Sequence, residues 1–231
     1  MTIDLIFPAH PPHLDGIGDY TARLAETLAA EHEVRFLTAQ EAPRPIPGVT
    51  SETAFACSPR RRTFEAVDAV ADRRPDAVVL QYNPFSYGRW GLNLHLPLAL
   101  YRIRRRCPGT TLAVMVHEPF VPLDSLRFAV MTVWQRVQLW LLGRTADLVM
   151  FSIQPWAERF RRWFPTRRGM HLPGGSNMPN VGLSQRAARE RLGVDRRAFV
   201  MGVFGSAHAS RLLPFVRRAA AAVRARRTDA R

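Results

Sequence analysis

The sequence predicts an α/β protein: a Rossmann-like parallel sheet with helices on both faces. Three observations carry that reading. Short β-type runs alternate with longer stretches of helical period, the order that builds strand–helix–strand units. Each run is nearly continuous in apolar residues, as expected of strands covered on both faces. The chain has 231 residues, 47% apolar and 23% charged, enough to bury a sizeable core and too apolar for a disordered segment.

Taken in order, the first run is 3–7; it carries Asp4 and lacks a basic leader, so it reads as a strand and not as a signal peptide. A loop rich in Pro and Gly leads to a helix over 19–30, and the second strand is 34–38. A helix over 62–73 precedes a third strand at 77–81. The helix over 92–106 carries Pro97 and stops before Cys107-Pro108-Gly109, and strand 112–117 follows. Residues 125–145 read as a long helix with Asp124 as its N-cap and a basic end at Arg144. Strand 148–152 and a helix over 156–164, ended by Pro165, complete this part. The stretch 128–142 is the most apolar, but Gln135, Arg136 and Gln138 interrupt it before the roughly 20 apolar residues of a membrane span. No transmembrane helix is expected. Its Trp134, Val137, Trp140 and Leu141 read as core rather than as a membrane contact.

After Pro173 the texture changes to a run of turn formers, Gly174 to Gly182, followed by a short Arg-rich helix from Ser184 to Gly193. Residues 198–204 read as one more buried strand, with a turn over 205–210 and a helix from Arg211. The expected organisation is a Rossmann-like domain over 1–175, a connector over 176–197, and the first strand and helix of a second domain over 198–231. One strand and one helix cannot bury a core of their own, so this pair either packs on the first domain or the chain is a fragment.

The charge balance, 33 basic against 19 acidic residues, gives +14. No lysine is present, so every basic residue is arginine, a bias that reads as coding composition. The arginines are scattered and form no nucleic-acid reader motif, so no nucleic-acid partner is expected. Clusters at 60–62 and 104–106 read as solvated helix ends. Cys57 and Cys107 have neither disulfide-framework nor C-x-x-C spacing; a reducing cytoplasm fits.

Chemistry concentrates after the strands. Gly16 and Gly18 precede a helix N-terminus, where unpaired N–H groups suit an anion such as a diphosphate. Thr21 stands where a dinucleotide fingerprint has its third glycine, so a tight turn is the alternative. His10 and His13 flank Pro11-Pro12 with no third ligand implied, and no metal is expected. His117-Glu118 follows a core strand at its carboxyl end, where open α/β sheets place ligands. There is no second histidine for H-E-x-x-H and no G-x-S-x-G elbow. From position alone His117 is either functional or structural. Residues 81–90, Gln-Tyr-Asn-Pro-Phe-Ser-Tyr-Gly-Arg-Trp, could stack on and hydrogen-bond sugars or bases, or Phe85, Tyr87 and Trp90 could pack under the following helix.

Several of these segments together resemble the N-terminal half of a GT-B glycosyltransferase, most of all family 4. The carriers are Gly16-Ile-Gly18-Asp19-Tyr20-Thr21, Arg74-Pro-Asp-Ala-Val-Val-Leu-Gln-Tyr82, Val114-Met-Val-His117-Glu-Pro119, Ala146-Asp-Leu-Val149, Leu172-Pro-Gly-Gly-Ser-Asn177, Arg191-Leu-Gly193 and Phe199-Val-Met-Gly-Val-Phe-Gly205. The resemblance implies transfer of a sugar from a nucleotide-sugar to an acceptor with retention at the anomeric carbon, without metal or other cofactor. The acceptor could be a sugar, a lipid-linked sugar or a small molecule.

The resemblance places Gly16 and Gly18 in a loop at the donor diphosphate, with Gly205 and Ser206 beside it, and makes His117 and Arg211 catalytic. His117 would hydrogen-bond near the transferred sugar. Arg211 stands where the family has a basic residue, often lysine, and would neutralise the leaving diphosphate. Asp19, Tyr82, Asn83 and Glu118 fall on the acceptor side. The family's E-x7-E donor segment has no counterpart, so a truncated enzyme missing most of its C-terminal domain is the expectation. The competing readings are a non-catalytic acceptor-binding or membrane-surface subunit and, less favoured, a nucleic-acid-binding module. A cytoplasmic location is expected, with a peripheral contact to the inner membrane face permitted.

Overall fold

The computed structural model describes residues 1–41, 43–58, 60–165, 167–176, 178, 181–203 and 213–226. They fall into two compact units, Met1–Asn177 and Met178–Arg231. The first unit is built on seven parallel strands: β1 Thr2–Ile6, β2 Glu33–Thr38, β3 Val49–Thr53, β4 Ala77–Tyr82, β5 Thr111–Val116, β6 Leu148–Phe151 and β7 Arg168–His171. They form one sheet in the order β3-β2-β1-β4-β5-β6-β7. The helices are α1 Gly16–Leu28, α2 Glu65–Arg73, α3 Pro84–Tyr87, α4 His95–Arg106, α5 Leu126–Thr145 and α6 Gln154–Trp163. The sequence expectation of a Rossmann-like α/β sheet holds.

Strand order and right-handed crossover fix where the helices go. The β1-to-β2 step runs one way along the sheet and places α1 on one face; the steps towards β4, β5, β6 and β7 run the other way and place α2, α4, α5 and α6 on the opposite face. Side-chain alternation follows. Val78, Leu80 and Tyr82 of β4 join Leu112, Val114 and Val116 of β5 in the large core, whereas Ile3, Leu5, Val34 and Val79 meet Ala25 of α1. The two strands that apolar runs did not predict, β3 and β7, are the sheet edges: Val-Thr-Ser-Glu-Thr and Arg-Gly-Met-His contain no buried residue. An edge strand with polar or exposed side chains carries little hydrophobic signal.

Two helix starts differ from expectation. Helix α1 begins at Gly16, three residues before the predicted Asp19, because Asp15 accepts from the N–H groups of Ile17 at 2.9 Å and Gly18 at 2.8 Å. The two glycines therefore lie in the first helical turn rather than in a loop. Ser125, not Asp124, caps α5, accepting from the Phe128 N–H at 3.2 Å.

Helix α5 buries polar side chains beside Met131, Leu139 and Leu142. Thr132, Gln135 and Gln138 are buried. Gln135 accepts from the Val121 N–H at 2.9 Å and donates to the Trp90 carbonyl at 3.1 Å. Gln138 donates to the Gly91 carbonyl at 2.8 Å and accepts from the Asn93 N–H. The glutamines thus satisfy two loop backbones that no strand pairs. The outward face is apolar instead, which corrects the core reading: Val137 and Trp140 are 45% and 46% exposed, and Trp134 and Leu141 are half-buried.

In the second unit, α7 Gln185–Arg191 is capped by Ser184, and Arg189 donates to the Asp195 carbonyl at 2.7 Å and the Ala198 carbonyl at 2.9 Å. Over 198–203 the chain shows a single bridge residue, Phe199, in place of the expected buried strand, and Val200 and Val203 are exposed. Helix α8 spans Leu213–Arg226.

Candidate functional site

The carboxyl ends of β1, β4, β5 and β6 converge beside the N-terminus of α1. His117 follows β5 directly, held by its N–H on the Tyr82 carbonyl at 2.9 Å. Its Nε2 lies 2.7 Å from Oε1 of Gln81, the penultimate residue of β4. Gln81 is wholly buried and its amide nitrogen has no partner, so this contact is the only polar tie of its side chain among the described residues. Tyr20 of α1 meets the other side of the imidazole edge-on, with ring centroids 5.3 Å apart.

Burial pushes the His117 imidazole down to about 4, against a weaker upward pull from the Asp15 carboxylate. The ring is neutral at pH 7. With the Gln81 carbonyl facing it, Nε2 carries the proton and Nδ1 is left as an acceptor. Nδ1 has no hydrogen-bond partner among the described residues. Burial likewise raises the Tyr20 hydroxyl above its ordinary value. The result is a neutral acceptor, a tyrosine and a fixed carboxylate at one helix N-terminus.

Beside this cluster, Asn83 donates to Glu118 at 3.3 Å and its carbonyl caps α3 through the Phe85 N–H at 2.9 Å. Both are accessible, so His117, Asn83 and Glu118 are brought together at neighbouring strand ends. Tyr82 is not: its side chain is fully buried, with its hydroxyl accepting from Gln138 at 3.3 Å, because alternation along β4 turns it into the core. The acceptor-side reading of Tyr82 is corrected accordingly. Asp19 lies on another face of α1, lining a surface groove with Pro11, Arg23 and Arg44. Of the aromatic segment, Tyr87 is core and donates to the Gln81 carbonyl at 2.8 Å, while Phe85 and Trp90 are exposed.

The two glycines differ. A Cβ on Gly18 would sit 3.0 Å from the Ala9 carbonyl oxygen, so the close approach of α1 to the β1 loop requires glycine; a Cβ on Gly16 would meet nothing. The Gly18 N–H is donated to Asp15 rather than turned outward. Gly205, Ser206 and Arg211 lie outside the described residues. His10 is a packing residue: its ring nitrogens face the Pro11 carbonyl at 2.7 Å and the Ser51 hydroxyl at 3.0 Å, against Phe36. Sequence reasoning missed Asp15 and Tyr20 as site members and read Gln81 only as part of the 81–90 segment, not as the partner of His117. Asp15 could have been found as a capping residue before two glycines; the other two are joined to His117 only by the fold.

Fold and strand-end site together define a Rossmann-like α/β domain with a cluster of polar side chains at its strand ends. Among solved structures it is similar to a UGT transferase from Siraitia grosvenorii in complex with UDP (12% identity, TM-score 0.54, 97% of this chain and 60% of that one). It is also similar to Phytolacca americana UGT2 complexed with UDP-2-fluoro-glucose and pterostilbene (11% identity, TM-score 0.52, 92% of this chain and 62% of that one). The chain thus spans about three-fifths of the length of either structure. No family model matches the sequence, and no curated protein matches it significantly.

Proposed function

We propose that the chain supplies the acceptor-side half of a glycosyltransferase of the family 4 kind, moving a sugar from a nucleotide-sugar to a hydroxyl acceptor with retention. The observation that carries this reading is His117: a neutral imidazole whose Nδ1 has no partner among the described residues, at the carboxyl end of a central strand. Similar architecture in structures solved with UDP and with a fluorinated UDP-sugar supports the donor class.

In the reaction, the bond between the anomeric carbon and the diphosphate oxygen breaks and its electron pair leaves with the diphosphate. The acceptor oxygen bonds to the anomeric carbon, and its proton passes to the departing phosphate. A group whose conjugate acid has a pKa of about 4 holds a proton poorly at pH 7. His117 therefore acts through Nδ1 as a hydrogen-bond acceptor that orients a sugar hydroxyl. Asn83 and Glu118 hold acceptor hydroxyls beside it. Gly205, Ser206 and Arg211 take the diphosphate, opening the donor-binding side at 198–231.

The test follows the His117 ring nitrogens by NMR in the whole chain while UDP-glucose and a panel of sugar and phenolic acceptors are added. An acceptor-dependent shift at Nδ1 is expected. A ring indifferent to every ligand overturns the reading.

A further inference from the structure

Helices α4 and α5 pack side by side on the same sheet face, and both turn apolar residues outward. Along α5, Leu126, Val130, Val133, Val137 and Trp140 recur at intervals of four and three, each at least 45% exposed. Leu94, Leu98 and Tyr101 make a parallel stripe along α4. A water-facing helix turns mainly polar residues outward; here two glutamines look in with Met131, Leu139 and Leu142, and the valines look out. Such a surface marks an interaction site.

The charges around it are mostly of one sign. No Asp or Glu occurs between Asp76 and Glu118, and only Asp124 between Glu118 and Asp147. Arg102, Arg105, Arg127, Arg136 and Arg144 are exposed and pair with no carboxylate among the described residues. The nearest acids are engaged elsewhere: Asp147 with Arg104 and Asp68 with Arg106. Instead, Arg144 lies 5.0 Å over the Trp140 ring, Arg127 lies 5.5 Å over Trp90 and Arg136 lies 4.7 Å over Phe120. Aliphatic and indole side chains flanked by arginines on aromatic faces fit the boundary between headgroups and acyl chains.

We infer that the outer face of α4 and α5 docks on an anionic lipid surface, with the arginines at the phosphates and the apolar stripes below them. Charge complementarity selects this occupant. A second copy of the same face would set five unpaired arginines against five with few acids to pair them, and a nucleic acid would leave the valine and leucine stripes against phosphate. Among the described residues no helix is long and apolar enough to cross a membrane, so the contact is made from one side. The inference rests on this surface and not on His117.

The test is co-sedimentation of the whole chain with vesicles of mixed phosphatidylglycerol and phosphatidylcholine, and of phosphatidylcholine alone. Binding to the anionic vesicles that falls with salt is expected. It should weaken about fivefold for each of Arg127→Gln, Arg136→Gln and Arg144→Gln. It should fall at least tenfold in the triple variant Val133→Ser, Val137→Ser, Trp140→Ser, all exposed positions whose thermal melt should be unchanged. Leu192→Ser, at the C-cap of α7, should bind as the parent does. Equal binding to neutral vesicles, or full binding by the triple variant with loss in Phe215→Ser on α8, overturns the inference. So does a concentration-dependent dimer that the triple variant dissolves, or binding to duplex DNA that the triple variant abolishes.

Discussion

The two ends of the sheet are constructed on opposite principles. Towards the amino ends of the strands the carboxylates Asp4, Asp76 and Asp147 are all answered. Asp4 is fully buried, yet Arg35 reaches it at 2.7 Å and Arg73 at 2.7 Å, and these arginines go on to Glu52 and Glu33. Asp76 accepts from the Thr2 N–H at 2.7 Å, and Asp147 accepts from the Leu112 N–H at 2.8 Å. At the carboxyl ends a wholly buried Gln81 has an orphaned amide nitrogen, His117 is desolvated to neutrality, and Asp15 caps a helix N-terminus with no salt bridge among the described residues. One end is closed and serves stability. The other keeps unspent polar capacity, which is what a ligand site requires.

The contrast can be broken most forcefully at the closed end. Asp4→Asn leaves two arginines facing a neutral amide across β1, β2 and α2, and a loss of about 3–5 kcal/mol in urea unfolding is expected. A loss under about 1 kcal/mol would mean that the network is a surface pair.

An intermediate effect is expected from pH. His117 has a folded pKa of about 4, below its unfolded value of 6.5, so the unfolded chain binds a proton that the folded chain does not between those values. Its contribution is complete above pH 6.5 and is lost as pH falls towards 4, approaching about 3 kcal/mol. His10, also lowered by burial, adds a slope of the same sign. His117→Gln should flatten part of the curve and leave the share due to His10; a curve unchanged by the substitution would show that His117 is solvated.

The smallest change belongs to the open end. Gln81→Leu removes an orphaned donor together with the acceptor of the His117 proton, and these offset to within about 1 kcal/mol. The measurable consequence should appear in the imidazole tautomer, read by NMR, while stability stays near that of the parent. A large destabilisation would place Gln81 among the structural groups of the opposite end.

How much of this was legible in the sequence depends on what each signal measures. The five central strands were readable because burial on both faces leaves an apolar run. The edges β3 and β7 were not, since half-exposed strands lose that run. His117 was readable by its place after a strand. Tyr82 was misplaced because strand alternation sends it inward, and α5 was misplaced because apolar spacing at helical period reports a stripe without saying which way it faces.

The sequence by itself determined the α/β class, the order of the five central strands and their long helices, and the position of the candidate histidine. These depend on local patterns of burial and on turn chemistry, which neighbouring residues encode. Only the tertiary structure decided that Gln81 and Tyr20 hold His117, that Asp15 caps α1 ahead of both glycines, and that the apolar stripe of α5 looks outward. Those outcomes depend on which elements meet across the fold, because the loops at 88–93 and 119–122 need the α5 glutamines more than the core needs its valines.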